Sequence, residues 1–219
     1  MNLSAAKLLA PPGTGTTSLN EIMSQFQHRA IPHDHTLRID PTLPGTYVMT
    51  IRDPVKRMIS GWKFRLYKRR SKRTWIDSGD LNEFAEAFVN TSHHLHLQSQ
   101  RVYWNSVHLP LPPTQHRVVS FGEPFLVSQT DFLRGLNHSI HHIHFVCTEN
   151  IGRFALSLNQ SIVQKNVHSH RIANVTGGSM AIIRRMYNDD DSLHKAHCER
   201  KVEPTRYSDW RNSHTALRS

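Results

Sequence analysis

Two segments of this chain carry residues whose types and spacing could do chemistry. Pro11 to Leu19 (PPGTGTTSL) is a glycine and hydroxyl loop between an apolar run and a helical pattern; Tyr47 to Trp62 (YVMTIRDPVKRMISGW) is a strand that ends on an arginine and passes into a helix. In the first, a turn through Gly13 and Gly15 presents backbone N–H groups and the hydroxyls of Thr14, Thr16, Thr17 and Ser18 toward one point. The dipole of the following helix favours negative charge there. That is the chemistry of an anion cradle. It is not a Walker A loop, because no lysine follows the second glycine, and not a dinucleotide fingerprint, because the third glycine is absent. In the second, Arg52 stands at the carboxyl end of a strand, where α/β proteins bind ligands, and Ser60 stands two turns along the next helix. Arg52 could fork onto a phosphate while Ser60 donates to it. The pair predicts a ligand with phosphates at two separate points.

The elements that must position these groups follow from local pattern. Ala5 to Ala10, stopped by Pro11 and Pro12, suits a buried first strand. A helix should follow, capped by Thr17 or Ser18, with Glu21 near its first turn and Leu19, Ile22, Met23 and Phe26 on one face. Thr36 to Ile39 is a candidate short strand, and Thr46 to Ile51 reads as a strand rich in β-branched and aromatic residues. Pro54, just after Asp53, suits the first turn of a helix in which Val55, Met58, Ile59 and Trp62 recur at helical spacing. Leu81 to Val89 reads as an amphipathic helix after Asp80, and Leu109 to Pro113 as a proline-punctuated loop. Ile143 to Thr148 reads as a strand, Glu149 to Ile162 as the helix after it, and Ser179 to Cys198 as a last helix beyond Gly177 and Gly178. Alternating strands and helices predict an α/β fold with parallel strands and right-handed crossovers. One domain is expected over residues 1–200, followed by a polar tail at 201–219.

Composition narrows the partners. The 219 residues carry a formal charge of +10 and a pI near 10.1, with much of the excess between Lys63 and Arg73. An anionic partner is expected: a nucleotide, an acidic glycan, a nucleic acid or an anionic membrane surface. A nucleic acid is disfavoured, because few aromatic platforms beyond Phe64, Tyr67 and Trp75 accompany the basic run. The N-terminal apolar run meets a proline pair too soon for a membrane span or a signal peptide. Cys147 and Cys198 predict free thiols rather than a bridge. Asn2, Asn90, Asn137, Asn159 and Asn174 head N-x-S/T triplets, which matter only in a secretory pathway. Of the 17 histidines, the sets at His93, His94, His96 and at His138, His141, His142, His144 lack metal-ligand spacing, so no metal is expected. A kinase or other P-loop NTPase is disfavoured by the missing lysine and the want of a magnesium aspartate after a strand.

Pro12, Gly15, Thr16, Thr17, Ser18 and Leu19 in the first segment, with Arg52, Asp53, Pro54, Arg57, Ser60 and Trp62 in the second, resemble the two signatures of the nucleotide-dependent sulfotransferases. The stretches HDHTLRIDP, FVCTEN and MYNDDDSL and the basic run after Trp62 extend the likeness to the small single-domain and carbohydrate-acting branch, from about Ala5 to Cys198. The resemblance implies a three-layer P-loop-type fold, a central parallel sheet flanked by helices. It implies transfer of a sulfuryl group from 3′-phosphoadenylyl sulfate (PAPS) to a hydroxyl or amine acceptor, such as a glycan. Gly13, Thr14, Gly15, Thr16, Thr17 and Ser18 would hold the 5′-phosphosulfate, and Arg52 and Ser60 the 3′-phosphate. His35, or His33, would take the acceptor proton, with Asp34 orienting the ring. No metal is implied. The family usually places a basic residue where this chain has Gly13. Losing such a donor costs about 3 kcal/mol of transition-state stabilisation, unless Lys7 or a basic residue between Lys56 and Arg73 substitutes. The alternative is a protein that binds the nucleotide or an acidic glycan without efficient transfer. The chain as given reads as cytoplasmic, or as lumenal in the Golgi if an anchor precedes it.

Overall fold

The computed structural model describes residues 3–31, 37, 39–68, 80–107, 126–160 and 174–199, with backbone alone at 64–68, 102 and 104–107. Three strands, β1 (Lys7–Leu9), β2 (Gly45–Ile51) and β3 (His141–Cys147), form one parallel sheet in the order β1-β2-β3. Leu9 lies opposite Met49, and Ile51 opposite Cys147. The helices are α1 (Thr16–Gln27), α2 (Pro54–Lys68), α3 (Leu81–Val89), α4 (His96–Val107), α5 (Ile151–Ser157), α6 (Gly177–Met186) and α7 (Asn188–His194). A 3₁₀ turn at Thr130–Leu133 precedes β3, and a π turn at Lys195–Glu199 follows α7. This is mixed α/β architecture, as the alternation predicts.

Both faces of the sheet are covered, which explains why β2 is buried continuously from Tyr47 to Ile51 rather than at alternate residues. Tyr47, Met49 and Ile51 pack with Phe132, Leu133 and Leu193. Val48 points the opposite way, into a cluster with Leu8, Leu19, Met23 and Val146, against which Phe26, Ile151 and Phe154 also pack. A third cluster lies off the sheet, where Val55, Met58 and Trp62 of α2 meet Phe84, Tyr103, Ile183 and Tyr187.

The expected elements differ from the observed ones in a few places. The first strand is only Lys7–Leu9, and α1 begins at Thr16 with Gly15 as its N-cap, so neither Thr17 nor Ser18 caps it and Glu21 falls in the second turn. Asp80 caps α3 as the pattern predicts, its carboxylate accepting from the Asn82 N–H. Leu37 and Ile39 are not in a strand, and Ile39 is buried beside Leu133. The single late helix is instead α6, opened at Gly177 and capped by the Thr176 hydroxyl, then α7 and the π turn. Helix α5 is shorter than expected, closing at Ser157. The free thiols are a correction: Cys147, at the end of β3, and Cys198, in the π turn, form a disulfide with Cα atoms 5.7 Å apart. Folding the chain after α7 back under β3 brings together residues separated by 51 positions. Residues 109–113 and the tail at 201–219 lie outside the described residues.

Candidate functional site

Because the strands are parallel, their carboxyl ends share one edge, and three segments meet there: the loop from Ala10 to Gly15, Arg52 with Asp53, and Thr148 to Asn150. The loop is bent by two glycines in left-handed backbone, Gly13 and Gly15, both at φ 79°. At each the neighbourhood also leaves little room for a side chain. A Cβ on Gly13 would lie 3.2 Å from the Arg57 carbonyl oxygen and 3.3 Å from Arg57 Cγ, and one on Gly15 would lie 3.2 Å from Thr148 Cγ2. Conformation and contact together favour glycine at both positions and would strain any other residue there.

Neutral hydrogen bonds fix the loop. The Thr14 hydroxyl is buried, donates to the Pro11 carbonyl at 2.6 Å and lies 2.7 Å from the Thr50 hydroxyl. With Thr14's single proton committed, Thr50 is the donor between them. Thr148 Oγ1 lies 2.7 Å from the Thr14 carbonyl and 3.0 Å from that of Ile51, so one hydroxyl ties the loop to the end of β2. The first turn of α1, Thr16 to Ser18, follows directly and aims its N-terminal dipole at this edge.

Arg52 closes the other side. Its Nη1 donates to the Gly13 carbonyl at 3.0 Å, which places the guanidinium against the glycine loop. The two segments singled out in the sequence are therefore in contact. Its backbone is gripped by Gln129, whose Oε1 accepts from the Arg52 N–H and whose Nε2 donates to the Arg52 carbonyl, both at 2.9 Å. Burial draws the guanidinium below arginine's ordinary range, an effect opposed by the nearby Glu149 and Asp53 carboxylates. Ser60 is half-buried on α2; the adjacent Gly61 N–H lies 3.9 Å from where a Gly13 Cβ would stand, so this turn of α2 faces the loop.

Arg57, in the same motif, has a different environment. It is fully buried, with Nη1 donating to the Val127 carbonyl at 2.7 Å, Nη2 3.2 Å from Asp190 Oδ2, and the guanidinium carbon 5.0 Å from the Tyr187 ring centre. Asp190 also accepts from the Gln129 and Thr130 N–H groups and from the Ser128 hydroxyl. Sequence reasoning missed Gln129, Thr148 and Asp190. Thr148 and Asp190 lay inside stretches already noted for their likeness, whereas no local signal marks Gln129.

Lys7 is turned to the side of the sheet, its ammonium 5.9 Å from the Tyr47 ring centre. Lys56 lies at the carboxyl edge, paired with Glu149 at 3.1 Å. Burial would raise the Glu149 carboxyl, but its own N–H and Lys56 outweigh that and hold it below the usual range. His33 and His35 lie outside the described residues, as do residues 69–73 of the basic run. Among the described residues no three His, Cys, Asp or Glu side chains group as a metal site, and no helix is long and apolar enough to cross a membrane. His141 of the second histidine set is instead structural, accepting from the Asn137 N–H through Nδ1 while Nε2 bonds the Leu43 carbonyl. No family model, curated protein or solved structure matches the chain.

Proposed function

We propose that this protein is a PAPS-dependent sulfotransferase whose nucleotide lies across the carboxyl edge of the sheet, in a three-layer P-loop-type fold. The contact between Arg52 and the Gly13 carbonyl carries the reading, because it sets a cationic fork beside a strand-loop-helix anion cradle. In this reading Gly13 to Ser18 surround the 5′-phosphosulfate through backbone N–H groups and hydroxyls, and Arg52 and Ser60 take the 3′-phosphate. Sulfuryl transfer forms a bond from the acceptor oxygen or nitrogen to sulfur as the bond from sulfur to the phosphate oxygen breaks. The protein's work is alignment, removal of the acceptor proton and stabilisation of charge on the leaving phosphate. His35, or His33, takes the proton. A glycan hydroxyl or amine suits the chain's positive charge as acceptor, and no metal is required.

A second reading has its own support. The positive φ and close packing at Gly13 mean that a side chain at that position, a lysine included, would be strained in this loop. A protein that binds nucleotide or acidic glycan but transfers slowly fits this observation. Lys56, once released from Glu149, is the cation assigned to the leaving oxygen if transfer is efficient.

Calorimetric titration with 3′-phosphoadenosine 5′-phosphate, beside ATP and adenosine 5′-phosphosulfate, tests the site. Selective binding of the first, weakened tenfold to a hundredfold in Arg52→Ala as expected for about 1.5–3 kcal/mol of charge-assisted hydrogen bonding, supports it. Equal binding of all three, or none, overturns it. Turnover of labelled PAPS with glycan acceptors then separates transfer from binding alone, with Lys56→Ala as the variant that should slow transfer more than it weakens binding.

A further inference from the structure

Five of the twelve asparagines head an N-x-S/T triplet, where about two would be expected from the serine and threonine content. The structure describes four of these asparagines, and all four are exposed outside helices and strands: Asn90 after α3, Asn137 before β3, Asn159 after α5 and Asn174 before α6. Two have a further property. Asn90 Oδ1 accepts from the Ser92 N–H, and Asn137 Oδ1 from the Ser139 N–H, each at 3.0 Å. These turns fold the side-chain amide toward the hydroxyl residue of its own triplet, using three residues only, so they are available before the rest of the chain has packed. The Asn137 turn is held further, its N–H donating to His141 Nδ1 and its carbonyl accepting from the Ile140 and His141 N–H groups. It precedes β3 and so lies at the amino edge of the sheet, opposite the glycine loop.

The Cys147–Cys198 disulfide is an independent observation pointing to the same compartment, since such bonds persist in oxidising lumens and are rare where glutathione keeps thiols reduced. We propose that Asn90 and Asn137 are N-glycosylation sites and that the protein resides in an oxidising secretory lumen. The donor class is an oligosaccharide linked to a polyprenyl diphosphate. Asn Nδ2 attacks the anomeric carbon, the bond from that carbon to the diphosphate oxygen breaks with its electron pair leaving on the diphosphate, and one Nδ2 proton passes to the transferase's base. Nothing here depends on the sulfotransferase reading.

The test uses the protein from its native cells. Digestion with a peptide:N-glycosidase should lower the intact mass and convert Asn90 and Asn137 to aspartate in peptide maps, and alkylation without reductant should label neither cysteine. Substituting Asn90→Gln and Asn137→Gln together should abolish the mass change at those peptides, with Ser92→Ala and Ser139→Ala as a second route to the same loss. A bare polypeptide mass, glycan confined to the other triplets, or thiols alkylated before reduction would each overturn the proposal.

Discussion

Arg52 and Arg57 stand five residues apart in one motif, and the regions around them differ in what they ask of an arginine. At the carboxyl edge of the sheet, Arg52 is partly exposed and donates through Nη1 to one backbone carbonyl. Behind it, between α2, α7 and the Leu126–Thr130 segment, Arg57 is wholly buried with its charge answered by Asp190. Donor capacity left over from folding is what a ligand can use; capacity spent on a buried carboxylate is architecture. The same residue type in one short motif thus divides into a partly exposed guanidinium at the sheet edge and a buried strut.

The most severe test of that division is to remove the strut. Arg57→Leu or Asp190→Leu leaves an uncompensated buried charge and should cost about 3–5 kcal/mol of stability in urea unfolding, while the double variant recovers part of the loss. Arg52→Ala should change stability by less than about 1 kcal/mol and act on nucleotide affinity instead. An Arg57 variant of undiminished stability that had lost only ligand binding would reverse the assignment.

A smaller effect tests the link between the regions. Gln129 is buried, takes its position from Asp190 and grips both backbone groups of Arg52. Gln129→Leu would leave those groups unpaired at about 1–3 kcal/mol and should weaken nucleotide binding as well, though Gln129 itself holds only the backbone. Gln129→Glu keeps the acceptor for the Arg52 N–H and should restore part of both. If the Leu variant loses stability with affinity intact, Arg52 does not depend on this grip.

Smaller again is the expected effect of filling the loop. Gly13→Ala places a Cβ against Arg57 in left-handed backbone and should cost about 1–2 kcal/mol; Gly13→Lys should do the same rather than raise transfer. A lysine variant that was both stable and faster would show that the loop can relax to accept a basic side chain.

What the sequence disclosed follows the range of the forces involved. Helix α3 is legible to the residue because its cap, Asp80, and its apolar face are local. The turn between β1 and α1 is legible because a proline pair and two glycines between an apolar run and a helical pattern mark a tight bend. Helix α4 was not anticipated: HLQSQRVYWNSV holds few apolar residues, and its place is set by packing against α3 rather than by its own pattern. The Gly15 cap was misplaced because the loop's backbone geometry, not a hydroxyl, starts α1. The Cys147–Cys198 bond and the Asp190 hub join residues 51 and more than 130 positions apart, distances at which spacing carries no information.

Asp53 lies between the two regions and gives the subtlest test. Next to Arg52 in sequence, it accepts from the Lys56 N–H at 2.9 Å as α2 begins and from Arg184 Nη2 of α6 at 2.6 Å; Arg184 also pairs with Asp191 of α7. Burial alone would raise the Asp53 carboxyl, but the Lys56 N–H and Arg184 outweigh it, so its folded pKa lies below the ordinary aspartate value. A depressed carboxylate contributes stability that is present above its unfolded pKa, about 4, and is lost as pH falls through the folded value. Wild type should therefore lose more stability than Asp53→Asn between about pH 5 and the acid limit, while the two converge at the lowest pH. Parallel curves would mean that the Asp53–Arg184 contact contributes nothing in solution, leaving α2 held by its apolar face and the Arg57 strut.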